Sequence, residues 1–199
     1  MNRQQVEQAF LDLFSCVGGG FQAPDFSTLG IESELSHYRK GEYLFRQGEP
    51  APKLFFLATG LVRYVSVSPE GKEFTQTFAA APTMAGSTRA MVRQVPALFG
   101  IEVLEPVICL EFNWRAFYEQ MKSYPGFLET YAHMLEALFI AKEERESAFV
   151  KLDAEQRYLQ FIDQNPTLLE RIPLQFIASY IGITPVALSR VRKKLHSSS

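Results

Sequence analysis

The spacing of apolar positions divides the chain into three textures. Val6, Phe10, Leu13 and Phe14 recur at helical spacing, and the helix they predict stops at Gly18-Gly19-Gly20, where three glycines cost too much backbone entropy. A second helical piece is expected at residues 25–38. Between Gly41 and Phe112 the pattern changes to short segments rich in Val, Phe, Leu and Thr, punctuated by Gly41, Gly48, Gly60 and Gly71 as in an all-β meander or barrel. Strands are predicted at 42–45, 53–58, 61–68, 72–78, 98–104 and 107–112, with turn chemistry at Ala58-Thr59-Gly60 and Pro69-Glu70-Gly71. After Pro125 the helical period returns. Leu128, Tyr131, Leu135, Leu138, Lys142, Arg145, Phe149 and Leu152 fall at alternating steps of three and four, which is a heptad seam. Such a seam pairs with a second copy, or else packs on its own domain, and Lys142 and Arg145 weaken pairing toward its C-terminal end. Residues 156–163 predict one more helix before Asn165-Pro166 breaks the chain.

The last thirty positions carry the most specific pattern. Residues 174–193 read as helix, tight turn, helix. Ala178 is small where two helices cross closely, and Gly182 takes the positive φ that ends the first of them. Ile177, Ile181, Ile183, Leu188 and Val191 fill the wedge between the two. Thr184 caps the second helix and Pro185 occupies its first position, so both boundaries are fixed locally. With Leu188, Val191 and Leu195 facing inward, the opposite face presents Val186, Ser189, Arg190 and Lys193, flanked by Arg192 and Lys194. A recognition helix needs this arrangement. Arg190 is placed to fork to guanine in a major groove, while Arg192, Lys193 and Lys194 suit phosphates. The candidate DNA-binding set is therefore Thr184, Pro185, Val186, Ser189, Arg190, Arg192, Lys193 and Lys194; a helical hairpin with a solvated basic face is the plainer alternative.

Composition narrows the class. With 199 residues, 47% hydrophobic and 21% charged, the chain is far from the disordered corner, and its length suits one main body with a small appendage. The net charge of -2 is a cancellation. Residues 171–199 hold five basic side chains and no acid, against 15 basic and 22 acidic in the rest, so an acidic body carries a basic tail. That asymmetry favours steering toward DNA at one end only. Cys16 and Cys109 are too few for a disulfide framework or a four-thiolate cluster, and a reducing compartment is expected. The polar N-terminus does not read as a signal peptide, and no run reaches the roughly 18 apolar residues of a membrane span, so no membrane partner and a cytoplasmic location are expected. His37, His133 and His196 show no metal-ligand spacing; His133 is expected at a surface or interface and His196 in a frayed tail. No cofactor is expected.

Taken in order, these segments resemble the Crp/Fnr family of transcription regulators over nearly the full chain. Residues 41–49, 55–63 and Glu70-Gly71-Lys72-Glu73 are similar to that family's cyclic-nucleotide-binding β-roll, and residues 172–195 to its DNA-binding motif. The resemblance implies an α+β fold: an N-terminal antiparallel β-roll with its preceding helices (1–122), a long dimerisation helix (123–150) and a C-terminal all-α helix-turn-helix domain (151–199). It also implies a homodimer joined through Leu128, Tyr131, Leu135, Leu138, Lys142, Arg145 and Phe149, reading palindromic double-stranded DNA. RNA polymerase, and an unidentified small-molecule effector or none, are the further partners left open.

The chain departs from the family at the ligand site. Cyclic-nucleotide binders carry Gly-Glu for the ribose and, about ten residues on, Arg-Ser or Arg-Thr for the cyclic phosphate. Aligning Gly86 with that glycine puts Ser87 at the glutamate, Ala97 at the arginine and Leu98 at the hydroxyl. A phosphate taken out of water needs a paired cation or several donors, so the pocket is read as degenerate. Arg89 and Arg93 rebuild an anion site only if their loop turns them inward; on a short helix they are expected at the surface. The recognition helix departs as well, with Pro185 and Val186 where the family's best-studied pattern has arginine and glutamate. Val186 can meet a thymine methyl but accepts nothing from cytosine. An enzyme is not expected: a cupin-like barrel would need a histidine and carboxylate cluster, and neither a Gly-x-Ser-x-Gly elbow nor a phosphate loop is present. The competing reading is a ligand-binding or protein-interaction module that has lost DNA binding.

Overall fold

The computed structural model describes residues 1–197, with the backbone alone at His196 and Ser197, so the expectation for His196 lies outside the described side chains. Helix α1 (Arg3–Cys16) starts with a capping box, in which Asn2 Oδ1 accepts from the Gln5 N–H at 3.0 Å and Gln5 Oε1 accepts from the Asn2 N–H at 2.9 Å. Strands β1 (Glu34–Tyr38), β2 (Tyr43–Phe45), β3 (Lys53–Val67), β4 (Glu73–Ala80) and β5 (Thr83–Ala85) precede a short helix α2 (Thr88–Arg93) and β6 (Gly100–Asn113). Helices α3 (Trp114–Met121), α4 (Phe127–Lys151), α5 (Ala154–Gln164), α6 (Leu174–Ile181) and α7 (Pro185–Ser197) complete the chain. The six strands form one antiparallel sheet in the order β1-β6-β3-β4, with β2 on β6 and β5 on β3.

Two expectations are corrected. Residues 25–38 are not a helix. Phe26–Leu29 makes one 3-10 turn capped by Asp25, whose carboxylate accepts from the Thr28 N–H at 3.2 Å, and Glu34–Tyr38 then extends to pair with β6 from Glu34 opposite Glu111 to Tyr38 opposite Val107. The free edge of a long strand decides the conformation of this weakly patterned segment. The segments expected as four strands at 53–58, 61–68, 98–104 and 107–112 are two long ones. Gly60 marks a bend inside β3, not a turn. Its φ is 95°, and a Cβ there would lie 2.5 Å from the Pro106 carbonyl oxygen, so the two strands cross the bend in close contact only because Gly60 has no side chain.

That bend distributes side chains among three cores. In β3, Leu54 and Phe56 face α1 and α3, whereas Phe55 and Leu57 face the interior of the roll. The register shifts between Leu57 and Leu61 exchange the faces, so beyond them Val62 and Tyr64 point into the roll and Leu61 points out toward the C-terminal helices. The N-terminal core is aromatic. The fully buried Phe10 ring lies 4.5 Å from Phe14, 5.4 Å from Phe26 and 5.5 Å from both Phe56 and Phe112. Phe10→Ala is expected to cost about 3–5 kcal/mol, read as a lowered urea midpoint at unchanged slope.

Candidate nucleic-acid interface and sensor site

The end of the chain forms the expected motif. Helix α6 ends at Gly182, whose φ is 78°, and the Ile183 N–H reaches back to the Ala178 carbonyl at 2.9 Å. Thr184 Oγ1 accepts from the Ala187 N–H at 3.2 Å and the Thr184 carbonyl accepts from the Leu188 N–H at 3.0 Å, so the hydroxyl cap and Pro185 start α7 as the residue pattern requires. The axes of the two helices meet at 96°, within the range of helix-turn-helix units. Ile177, Ala178, Ile181 and Leu188 are buried between them, with Ile183, Val191 and Leu195 packed alongside.

The outer face of α7 is open. Thr184, Pro185, Val186, Ser189, Arg190 and Lys193 are exposed, and Arg192 is half-buried at the margin. Lys194 is exposed too, but its Nζ sits 2.6 Å from Glu155 Oε2 at the start of α5, and this bond raises its pKa. Arg171 is drawn away from the motif altogether. Its Nε and Nη2 fork onto Glu105 of β6 at 2.9 and 2.6 Å, raising the arginine's pKa and lowering the carboxyl's. Of the five basic residues in the tail, Arg171 and Lys194 are drawn into carboxylate pairs, and Arg190, Arg192 and Lys193 line the outer face.

Within the roll, none of the aligned ligand positions presents a cation to the interior. Ser87 is buried and spends its hydroxyl on capping α2, accepting from the Ala90 N–H at 3.3 Å. Ala97 is buried, Leu98 is 61% exposed, and the place a Gly86 Cβ would take lies 3.3 Å from the Met91 sulfur. Arg89 lies at the surface, donating to the Pro96 carbonyl at 2.7 Å, and Arg93 is exposed. Aromatic rings line the interior instead: Phe45 lies 6.4 Å from Phe55 and 6.0 Å from Phe99, and Tyr64 lies 5.3 Å from Phe99. Burial pushes the Tyr64 phenol up to about 12, against an opposing hydrogen bond from the Gly86 backbone. At the end of the roll Glu111 is 6% exposed; Lys53 Nζ contacts it at 2.6 Å and the Tyr38 hydroxyl donates to it at 2.7 Å. Burial disfavours its charge, yet these bonds outweigh burial and hold the carboxyl below its usual range.

The seam on α4 is divided. Leu128, Leu135 and Leu138 are exposed, and Phe139, Ile140 and Val150, at 64%, 53% and 85% exposure, widen the apolar surface beyond the heptad positions. Lys142 is exposed as well. Tyr131 packs within its own chain, stacked on Phe127 at 5.9 Å and lying 5.7 Å from Trp114. Arg145 and Phe149 turn toward the C-terminal helices, where the Arg145 guanidinium lies 4.0 Å from the Tyr180 ring centre. His133 is exposed, and among the described residues no three His, Cys, Asp or Glu side chains gather to hold a metal ion.

A network that residue spacing did not disclose joins roll and helix-turn-helix. Arg63 is 2% exposed; it pairs with Glu102 and with Glu73 at 2.6 Å, and its guanidinium stands 3.7 Å over the Phe176 ring of α6. The Thr75 N–H, on edge strand β4, donates to Ser179 Oγ at 2.9 Å. Phe78 of β4 lies 5.6 Å from Tyr180 and 6.2 Å from Phe161. The one hint in the residue order was a lone charge among Leu61, Val62, Tyr64 and Val65.

Comparisons with known proteins agree with this geometry. Residues 35–124 match the cyclic nucleotide-binding domain family. Over most of its length the chain also shares its fold with solved structures below 25% identity. It superposes with a TM-score of 0.72 on the c-di-GMP responsive global regulator CLP of Xanthomonas campestris, at 17% identity over 86% of this chain and 89% of that one. FixK2 of Bradyrhizobium japonicum gives 0.71 at 17% identity over 84% and 86%, and a CooA mutant from Carboxydothermus hydrogenoformans gives 0.73 at 20% over 89% and 82%. A comparison with curated protein sequences finds no match. No single helix among the described residues is long and apolar enough to cross a membrane.

Removing one partner of a buried ion pair leaves the other charge stranded. Arg63→Met is therefore expected to destabilise the protein by about 3–5 kcal/mol, and Arg63→Met with Glu102→Gln to recover part of that loss in urea unfolding.

Proposed function

We propose that the protein is a sequence-specific DNA-binding transcription regulator of the Crp/Fnr type. It acts in the cytoplasm as a homodimer joined along the exposed apolar face of α4, with residues 1–122 as sensor, 123–150 as dimer helix and 151–199 as DNA-binding part. The observation that carries this reading is the exposed, basic outer face of α7 on a capped helix-turn-helix whose axes meet at 96°. Arg190 reads a base edge, and Arg192 and Lys193 hold phosphates, with Lys194 beside them. Val186, 63% exposed, supplies an apolar contact such as a thymine methyl accepts.

Purified full-length protein mixed with genomic fragments is expected to select a palindrome whose half-sites lie about one helical turn, roughly 10 base pairs, apart. Arg190→Ala then loses about 1–3 kcal/mol of discrimination at one base pair per half-site, while Lys193→Ala weakens all sequences alike and lowers the salt slope by about one. Retention of no duplex at low salt would move the assignment to a ligand-binding or protein-interaction module that has lost DNA binding.

The sensor's cyclic-nucleotide site is degenerate in this reading, because Ser87 caps a helix, Ala97 offers a methyl group and Arg89 holds the Pro96 carbonyl outside. Calorimetric titration with cyclic AMP and cyclic GMP should give no heat of binding below millimolar concentration. Low-micromolar binding of either nucleotide would refute the degenerate site.

A further inference from the structure

The turn between α6 and α7 leaves an electrostatic debt at the end of α6. The carbonyls of Ala178 and Ser179 are met by the N–H groups of Ile183 and Gly182, at 2.9 and 3.2 Å. The next two carbonyls, of Tyr180 and Ile181, lie at the negative end of the helix and have no partner along the chain. The helical donor for Ile181 would be residue 185, and that residue is proline, which has no N–H.

Both carbonyls are met by arginines from other helices. Arg145 of α4 donates through Nη2 to the Tyr180 carbonyl at 3.1 Å, and Arg157 of α5 donates through Nε to the Ile181 carbonyl at 2.9 Å. Each arginine has a second attachment. Arg157 Nη1 donates to the Leu152 carbonyl at 2.5 Å, where α4 ends, and Arg145 Nη2 reaches the Thr75 carbonyl of β4 at 3.4 Å. The Phe149 ring lies between the two guanidiniums, 4.9 Å from Arg145 and 5.0 Å from Arg157. It also presses on the turn itself, since a Cβ on Gly182 would come within 2.7 Å of the ring. Among the described residues neither guanidinium pairs with a carboxylate, so their charge serves the helix end.

We propose that Arg145 and Arg157 are positioning residues that fix the angle between the long helix and the recognition helix, and thereby set the half-site spacing that a dimer accepts. The second clause rests on the DNA-binding reading; the first does not. Arg157 bridges the Leu152 carbonyl, just past α4, and the last carbonyl of α6 with one rigid fork, so the α4–α5 joint at Leu152 and Asp153 is tied to the end of α6 by a side chain. Arg145 ties the same helix end to β4.

Two measurements on the full-length chain separate the clauses. Nitroxides are placed on Cys16, which is exposed, and on Ser189→Cys in α7, and labelled chains are diluted into unlabelled ones so that distances within one chain dominate. The parent is expected to give a single narrow distance distribution, and Arg145→Gln and Arg157→Gln broad ones, with cooperative thermal unfolding retained. An unchanged distribution overturns the proposal whatever the protein binds. The selected palindrome is then remade with half-sites one and two base pairs closer or farther. The parent should discriminate among spacings, and the variants should lose about tenfold of that discrimination, whereas Arg190→Ala weakens every spacing equally. A spacing preference kept in full by both variants overturns the second clause. Broadened distances in a protein that retains no duplex support the joint and refute the DNA reading. Where a glutamine variant unfolds, Arg157→Lys decides, because it keeps the charge but cannot reach Leu152 and Ile181 together.

Discussion

The antiparallel pairing of β3 with β6, from Lys53 opposite Asn113 to Val65 opposite Gly100, is the constraint on which the other elements depend. Every remaining strand pairs with one of these two, and each of the three cores takes residues from both. In β6, Ile101, Val103, Val107 and Cys109 fill the roll, Leu110 and Phe112 meet α1, and Leu104 meets the C-terminal helices. One pair of strands thus fixes where the N-terminal helix, the roll interior and the helix-turn-helix stand relative to one another. The bend at Gly60 is the point where β3 exchanges its faces, and without that exchange Leu61 and Arg63 would point into the roll.

Charge follows the same division. The sheet faces that meet other elements neutralise arginines: Arg63 against Glu73 and Glu102, Arg171 against Glu105. Arg145 and Arg157 are spent on carbonyls at a helix end. The surplus of five positive charges at the end of the sequence therefore overstates what faces a partner, since Arg171 and Lys194 pair with Glu105 and Glu155, and Arg190 and Lys193 lie exposed on the outer face of α7. This concentrates cationic charge on one exposed helix, which is the distribution that favours an oriented approach to phosphates.

How far the molecule was legible in its residues depended on how local each determinant is. Gly182, Thr184 and Pro185 fix both boundaries of the helix-turn-helix within four positions, and they were readable at once. The roll was readable as strands but not as continuous ones, because Gly60 gives the same signal for a turn and for a bend against Pro106. Residues 34–38 carry no strong period of their own, and the edge of β6 decides their conformation. On α4 the heptad spacing was correct as a period, yet it did not distinguish positions the chain uses itself. Tyr131 lies on Trp114, and Arg145 and Phe149 lie against α6 and its following turn, while Leu128, Leu135 and Leu138 stay open. Arg157 was invisible: nothing in a helical segment tells which carbonyl, 24 residues away, its guanidinium will meet.

The junction between roll and helix-turn-helix combines an apolar and a polar part with different roles. Leu61, Leu104 and Phe78 bury against Tyr158, Phe161, Ile172, Ile177 and Ile181, and this burial supplies adhesion without direction. The polar contacts add little net attraction, since taking Arg63 and most of Glu102 out of water offsets much of what their pairing returns. What they add is position. The guanidinium over Phe176, the Thr75 N–H on Ser179 and the arginine bonds to the Tyr180 and Ile181 carbonyls are directional, although Arg145 Nη1 is buried without a hydrogen-bond partner among the described residues, and a sliding or rotated contact would leave further buried donors unpaired at about 1–3 kcal/mol each. A greasy joint held by polar pins keeps one orientation, which is what the proposed reading of base edges by α7 requires.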